Sequence, residues 1–454
     1  MLTDTIGADV VIVGGGVAGL AAARALVEAG ARICLVEARD RLGGRIDTRY
    51  EPGVPWPIEL GAEFVHGLPD EVLALVRRGA ISLQEVSGRR WQFHGGVLAP
   101  VAGGWAAVDE IFERLQEAAR TGPDLSFRDF LQRWCAEPRL REACLQAEQF
   151  VQGYHAARPE RISVRSLALA EQADEAIQAH RQFRVAGGYA RVVEWLRAGL
   201  PEAPETLRLE TVATGLRWQP GEVRLELRGP AGPLAPITAR RALITLPLGV
   251  LQQPPDAPGA LRFSPPLPSK DAAVRGLAMG AVVKIVLVFQ EDFWQGVVAR
   301  PGMSFLRAAG EQFPTWWTPA PAKAPVLAGW VGGPQAEALS AQPAPCVLDA
   351  ALQTLSHVFG ATTQHLAGGV RSWHYHNWQQ DPFARGAYSY VVAGGLPCQR
   401  ELALPVEDTL FFAGEATEWS GHYSTVHGAM ATGRRAALEI LASLGRDAPR
   451  TPPS

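Results

Sequence analysis

Residues 8–30 read ADVVIVGGGVAGLAAARALVEAG, and residues 31–48 continue ARICLVEARDRLGGRIDT. Asp9–Val13 is a short apolar run with the pattern of a buried strand. A glycine turn follows, then helical composition over Ala18–Glu28 with Gly30 as its C-terminal cap. Arg32–Glu37 has the pattern of a second buried strand. This β-α-β order opens an α/β fold with a Rossmann-like, doubly wound parallel sheet. Gly14, Gly16 and Gly19 form GxGxxG at the first strand-to-helix junction. The first glycine allows the tight turn, the second lets backbone approach a pyrophosphate, and the third lets helix and strand pack closely. Val13 ends the strand, and Val17 and Ala18 begin the helix, whose free N–H groups and partial positive charge suit an anion. Glu37, 21 residues after Gly16 and followed by Ala38, is placed to accept from ribose hydroxyls. An acid there disfavours a 2′-phosphate, and so NADP. Arg39, Arg41 and Arg45 surround Gly43–Gly44, which suits a second approach to the same pyrophosphate.

Composition limits what surrounds this unit. The chain has 454 residues, 47% hydrophobic and 20% charged, with a net charge of −3. A large core is expected, and neither nucleic acid nor an anionic membrane is expected as a partner. Only Lys270, Lys284 and Lys323 are lysines among the 43 basic residues. Arginine does not replace lysine in a chemical site, so each of the three is a candidate for a specific task. The five cysteines, Cys34, Cys135, Cys144, Cys346 and Cys398, show no CxxC pair. A zinc site and a disulfide framework are not expected, and a reducing, cytoplasmic location fits. No metal-ligand spacing stands out among the histidines. No stretch provides 18 uncharged apolar residues, so no membrane span is expected.

Beyond the first unit, helical patterns cover Val72–Arg78, Ala107–Arg120, Phe127–Gln146 and Ser166–His180, making a mainly helical block between about 70 and 183. Strand patterns follow from Thr206 to Thr245, then at Ala281–Phe289 and Val326–Val331. Val347–Phe359 is helical, Asp408–Gly414 a short buried strand, and Val426–Ser443 the final helix. The pattern implies two interleaved units. Residues 5–80, 184–265 and 400–446 are expected to form a discontinuous cofactor-binding domain. Residues 81–183 and 266–399 would form an α+β substrate-binding domain, and 447–454 a flexible tail.

Further blocks are IELGAEFVHG (58–67), VAGGYARVVEWL (185–196), TLPLGVL (245–251), FSPPLP (263–268), GAVVKIVLVF (280–289), WQQDPFARGAYSYV (378–391) and FFAGEATEWSGHYSTVHGAMATGRRAA (411–437). With the opening segment, these resemble the flavin amine oxidase family of monoamine oxidases, polyamine and spermine oxidases, and lysine-specific histone demethylases. DPFARGAYSYV and STVHGA are the more specific blocks; the first is shared with many FAD proteins. The helical block carries the least resemblance and is expected to hold much of the specificity.

The resemblance implies bound FAD, a small amine substrate, molecular oxygen as acceptor, and a monomer or homodimer. It assigns Lys284 to a water beside flavin N5. A lysine in so apolar a strand is costly unless partnered, and an ammonium there stabilises developing negative charge. Tyr388 is assigned one wall of the substrate cage, with Thr425 where many relatives have a second aromatic. Ala387 stands where the family's covalent flavin cysteine would be, which implies non-covalent FAD. Glu415, after Gly414, is assigned to the ribityl chain. Val426 and Ala429 are assigned to the flavin ring, Trp378 to packing on it, and Val212 to the adenine side. Gly61 and Ala62 join the cofactor set, while Glu63, His66 and Gly188 join the substrate set. Glu63 and His66 are expected at the entrance, suited to a second amino group. The role of His427 stays open. Two other readings remain. One is another FAD oxidoreductase, such as a desaturase or an L-amino-acid oxidase using Arg181 or Arg184 for the carboxylate. The other is a catalytically silent FAD-stabilised scaffold.

Overall fold

The computed structural model describes residues 7–101, 106–296 and 302–447. The tail expected over 447–454 lies, beyond Asp447, outside the described residues. The opening segment forms the strand Ala8–Val13, the helix Val17–Glu28 and the strand Ile33–Val36. Every residue of the two strands is buried, as parallel strands covered on both faces require. Ala8–Val13 pairs in parallel with Ile33–Val36 on one side and with the end of the long strand Gly232–Ile244 on the other. Leu207–Arg208 and Leu410–Phe412 extend this parallel group at its two edges.

The α/β reading of the fold holds, but the sheet is mixed rather than purely parallel. Gly232–Ile244 also pairs antiparallel with Glu222–Gly229, which pairs antiparallel with Val212–Gln219. The links between these strands, Pro220–Gly221 and Pro230–Ala231, are two-residue turns. Links that short make hairpins, whereas a parallel return needs a crossover of a dozen residues or more. The two faces are therefore covered differently. The helices Val17–Glu28, Ala190–Ala198 and Val426–Ser443 share a core with Val10, Ile12, Ile33 and Leu35. On the other face, Val11, Val13, Cys34 and Val36 pack with Leu216, Val223 and Leu225 of the hairpins.

A second, seven-stranded sheet has the order Val370–Tyr375, Val282–Phe289, Val326–Gly332, Thr315–Trp317, Met303–Ala308, Arg89–His94, Val97–Pro100. Val282–Phe289 lies inside it, antiparallel to both neighbours and buried along its whole length. The last two strands correct the expectation of a mainly helical block after residue 70. In RRWQFHGGVLAP, Trp91 and Phe93 alternate inward, and Gly95–Gly96, both at positive φ, close a two-residue turn.

The remaining part of that block is helical, at Ala106–Thr121, Phe127–Trp134, Arg141–Tyr154 and Val164–Ala176. The single helix expected over Phe127–Gln146 is thus two. Pro138 holds Glu137 in an extended conformation (φ −65°, ψ 135°) and breaks the first helix. The second helix then continues to Tyr154, which brings that side chain to the site.

Candidate active site

One cavity of about 1250 Å³ runs from the glycine turn to the strand Val282–Phe289 and on to the helical block. Small-molecule pockets are typically ~300–1000 Å³, so this one has room for a large cofactor together with a substrate. At the turn it is lined by Val13, Gly14, Gly16, Val17 and Ala18. Gly16 caps the helix without a side chain, which leaves the first-turn amides open toward the cavity. Gly19 does not line it. A Cβ on Gly19 would stand 2.0 Å from the Gly14 carbonyl oxygen, so its part is the close packing expected of the third glycine. Glu37 is held in place by the turn itself. Its carboxylate accepts from Gly15 N at 2.7 Å and from Arg39 N at 2.9 Å.

Ala38, Arg39, Gly43, Gly44, Arg45 and Val212 also line the cavity. Arg41 does not. Its guanidinium donates to the Gly44 and Ile46 carbonyls and pairs with Asp47, so it shapes the loop instead of facing an anion. Arg45 donates to Ala387 O and Glu415 Oε1, both at 2.8 Å. The other oxygen of Glu415 accepts from Ser389 Oγ at 2.6 Å. Both Glu415 oxygens, which the resemblance assigns to the ribityl chain, are thus already engaged by protein groups. Gly414, Glu415, Val426, Ala429, Trp378, Gly61 and Ala62 all line the cavity. Trp378 is buried, with its indole N–H on Leu60 O at 2.9 Å.

At the centre stands Lys284, 2% exposed. Its ammonium donates to Glu63 Oε2 at 2.8 Å and to Gly61 O at 3.2 Å. A lysine has three donors, so one remains for the cavity, which Lys284 lines. Glu63 also takes Arg184 Nε at 2.9 Å and Trp317 Nε1 at 2.9 Å. Burial alone would push the Glu63 carboxyl up. Lys284 and Arg184 outweigh that and hold it below its ordinary value. This arrangement corrects the reading of Glu63 as an entrance group awaiting a second amine, because its carboxylate is consumed by two cations. It also corrects the reading of Arg184 as a carboxylate clamp. Arg184 is buried and further bonded to the Thr318 and Ala320 carbonyls, while Arg181 pairs with Glu85 at the surface.

Tyr388 and Thr425 both line the cavity. Tyr388 Oη donates to Tyr154 O at 2.8 Å. Thr425 is the N-cap of the closing helix; its hydroxyl accepts from Gly428 N at 3.0 Å and donates to His422 O at 2.6 Å. His66 lines the cavity edge-on to Tyr154, with ring centroids 5.5 Å apart. His427 lines it too, which its sequence position alone did not reveal. One ring nitrogen of each lacks a hydrogen-bond partner. Burial lowers His66 to about 4 and His427 to about 3, the latter also opposed by His422 and His66. Both imidazoles are therefore uncharged at neutral pH. Gly188 lies away from the cavity. A Cβ there would be 2.7 Å from Thr48 Cγ2, so it is a packing glycine and not a substrate contact.

Tyr154, Asp174, Trp317 and Trp330 line the site without having been singled out in the sequence. No group of three or more His, Cys, Asp or Glu among the described residues could hold a metal ion. No helix among them is long and apolar enough to cross a membrane.

The family model described as flavin containing amine oxidoreductase matches residues 17–441. The chain belongs to that family. It is an enzyme of the flavin-dependent amine oxidoreductase type. Polyamine oxidase 1 of Oryza sativa subsp. japonica is 31% identical, over 95% of this chain and 96% of the relative. Peroxisomal N(1)-acetyl-spermine/spermidine oxidase of Homo sapiens is 27% identical, over 95% of each chain. Lysine-specific histone demethylase 2 of Homo sapiens is 26% identical, and the chain spans 53% of its length. Among solved structures, a putrescine oxidase bound to putrescine has a TM-score of 0.76 at 22% identity, covering 96% of this chain and 99% of the other. Cyclohexylamine oxidase from Brevibacterium oxydans IH-35A has a TM-score of 0.78 at 21% identity, covering 97% and 100%. These two likenesses establish the shared fold.

The family's flavin cofactor fits what the cavity offers. The glycine turn leaves no side chain in the way, a helix start presents free amides, and the volume is ample. Gly19→Ala is expected to purify largely colourless. The added Cβ meets backbone, which cannot give way without moving the helix from the strand. Flavin absorbance per protein is the measurement, and a fully yellow variant would show that the turn tolerates the shift.

Proposed function

We propose that the chain binds FAD non-covalently and oxidises a carbon–nitrogen bond of a small amine, with molecular oxygen as acceptor. The observation that carries this reading is the single cavity joining the glycine turn to Lys284 and the aromatic residues around Tyr388. In this reading the dinucleotide is held by Gly14, Gly16, Glu37, Gly43, Gly44, Arg45 and Val212. The ring is held by Gly61, Trp378, Val426 and Ala429. No cysteine lines the cavity among the described residues, which supports non-covalent binding. The division into residues 5–80, 184–265 and 400–446 for cofactor and 81–183 and 266–399 for substrate belongs to the same proposal. Five unpaired cysteines support a reducing, cytoplasmic location.

Bound FAD supplies the hydride acceptor. The residues supply position and charge. Tyr388 and Tyr154 wall the amine, and the spare donor of Lys284 orients a water in the cavity. The substrate loses a hydride from its α-carbon and a proton from its nitrogen to become an imine, which water hydrolyses to a carbonyl compound with release of ammonia or an amine; oxygen takes up the two electrons and two protons and leaves as hydrogen peroxide. His66 and His427 are already neutral, so the proton that must leave before reaction is the substrate's own. The names of the relatives and neighbours, which include polyamine, putrescine and cyclohexylamine oxidases, support a small amine.

The test is anaerobic addition of amines to the purified yellow protein. Bleaching by an amine, with peroxide on admitting air, is expected. Bleaching by L-amino acids alone would overturn the reading. The bleaching rate at low substrate is expected to rise with pH about tenfold per unit below the amine's own pKa, and then level. Because His66 and His427 titrate near 4 and 3, no histidine inflection is expected between pH 6 and 8. A rate independent of pH would count against productive binding of the neutral amine.

A further inference from the structure

Arg39 suits an approach to a pyrophosphate by its place in the sequence, yet its guanidinium is also committed elsewhere. Nη2 donates to Asp381 Oδ2 at 2.8 Å, across 342 residues, and the guanidinium carbon stands 5.5 Å from the centre of the Phe383 ring. The same carboxylate oxygen is 2.8 Å from His376 Nε2, and the other accepts from Phe383 N at 2.8 Å. The His376 ring lies against Trp378, with ring centroids 4.2 Å apart. Burial alone would push the Asp381 carboxyl up; His376 and Arg39 outweigh that and hold it far below its ordinary value. Arg39 and Trp378 line the cavity, whereas Asp381 and His376 do not. One carboxylate therefore links two side chains of the cavity wall from behind.

Asp381 also closes the loop that carries Trp378 and Tyr388. Its N–H donates to Asn377 O at 3.0 Å, and its carbonyl accepts from Ala384 N at 3.1 Å and Arg385 N at 2.9 Å. Gly386 N returns to Trp378 O at 2.9 Å. From outside, two arginines of the segment after the second strand hold this loop, Arg39 at Asp381 and Arg45 at Ala387. That segment rests in turn on the glycine turn, with Gly43 N on Gly15 O at 2.9 Å and Glu37 accepting from both Gly15 N and Arg39 N. Charge-assisted bonds of this length are the stronger kind. The turn at the dinucleotide end and the loop at the other end are thus joined through buried polar contacts.

We propose that Asp381 is a positioning residue: through Arg39 on one side and His376 on the other, it sets Trp378 and Tyr388 from the dinucleotide end of the cavity. This rests on the reading above, in which Trp378 holds the ring and Tyr388 walls the amine. Asp381 lies outside the cavity and acts only through these neighbours. A carboxylate is required because one oxygen takes two donors while the other holds the Phe383 amide. An asparagine there loses the charge and has one accepting oxygen in place of two.

The test compares the holoenzyme with Asp381→Asn, His376→Ala, His376→Gln, Arg39→Met and the double variant R39M/D381N. The first readout is emission per bound flavin, which an indole packed on the ring quenches. D381N, R39M and H376A are expected to stay yellow and to emit roughly twofold more than wild type, or higher. Glutamine can place an N–H where His376 Nε2 stands, so H376Q is expected to emit nearly as wild type does. R39M/D381N is expected to match D381N, since a link broken once cannot be broken again. If D381N loses its flavin, the contrast between H376A and H376Q decides in its place. Unchanged emission in D381N and H376A, equal emission in H376A and H376Q, or a double variant in which the two effects multiply would overturn the inference. Anaerobic bleaching with cyclohexylamine and 1,4-diaminobutane reads the Tyr388 end. H376A is expected to need about fivefold more amine for half-saturation, with a limiting rate within about threefold of wild type. An unchanged half-saturation overturns the link to Tyr388. Failure of both amines to bleach a yellow wild type would count against the amine reading, while the emission results still judge Asp381. A wild type that takes up no FAD overturns both.

Discussion

Lys284→Met is expected to keep its flavin and its fold while turning over amine roughly 100- to 1000-fold more slowly, the usual cost of removing one preorganised charged donor. The fold is expected to survive because of what surrounds the lysine. Methionine is close to the lysine stem in volume and suits a strand buried along its whole length. Glu63 keeps Arg184 and the Trp317 indole after the ammonium is gone, so no unpaired charge is left behind. The loss should therefore appear in kcat with the visible spectrum retained. A drop of less than tenfold would make Lys284 a structural counter-ion for Glu63 and nothing more.

Glu63→Gln is expected to have the opposite profile, with stability suffering first. The substitution leaves the Lys284 ammonium and the Arg184 guanidinium facing one neutral amide, with side chains only 2% and 5% exposed. Removing one partner of a buried ion pair costs about 3–5 kcal/mol. A markedly lower unfolding midpoint is expected, with the flavin held more weakly. The double variant Glu63→Gln, Lys284→Met has one stranded cation in place of two and should recover part of the loss. If the two substitutions simply add, the three side chains are not coupled as their hydrogen bonds imply.

The contrast between these residues shows what the sequence could and could not reveal. The glycine turn was legible because its mechanism is local: strand, turn, helix and acid lie within 30 residues. Lys284 was legible because a charge in GAVVKIVLVF conflicts with everything beside it. The identity of its partner was not legible, since Glu63 lies 221 residues away and is conspicuous only once Arg184 and Trp317 converge on it. Gly188 was misplaced for a related reason. A glycine that packs against Thr48 and one that faces a ligand look alike in a string of letters. The hairpin 89–100 was hidden by its setting among helices, although Trp91, Phe93 and the Gly95–Gly96 pair carried the period of a strand and its turn. Asp174 sits in a polar helical stretch where an acid is ordinary. Only the fold, by turning it inward beside Tyr154, makes it unusual.

The strand Leu410–Phe412 and the helix Val426–Ser443 complete a layer begun at residue 8. They also bring Glu415, Thr425, Val426 and Ala429 to the cavity wall. A ribosome making this chain thus delivers the glycine turn first and its enclosing wall last. Until the last helix is made, the apolar face of the helix Val17–Glu28 is covered only in part, by Ala190–Ala198 among others, and the rest of it waits for a partner about 400 residues downstream. Cofactor capture is in this sense a signal of completion, and a chain terminated before residue 410 is expected to emerge colourless and in need of a chaperone.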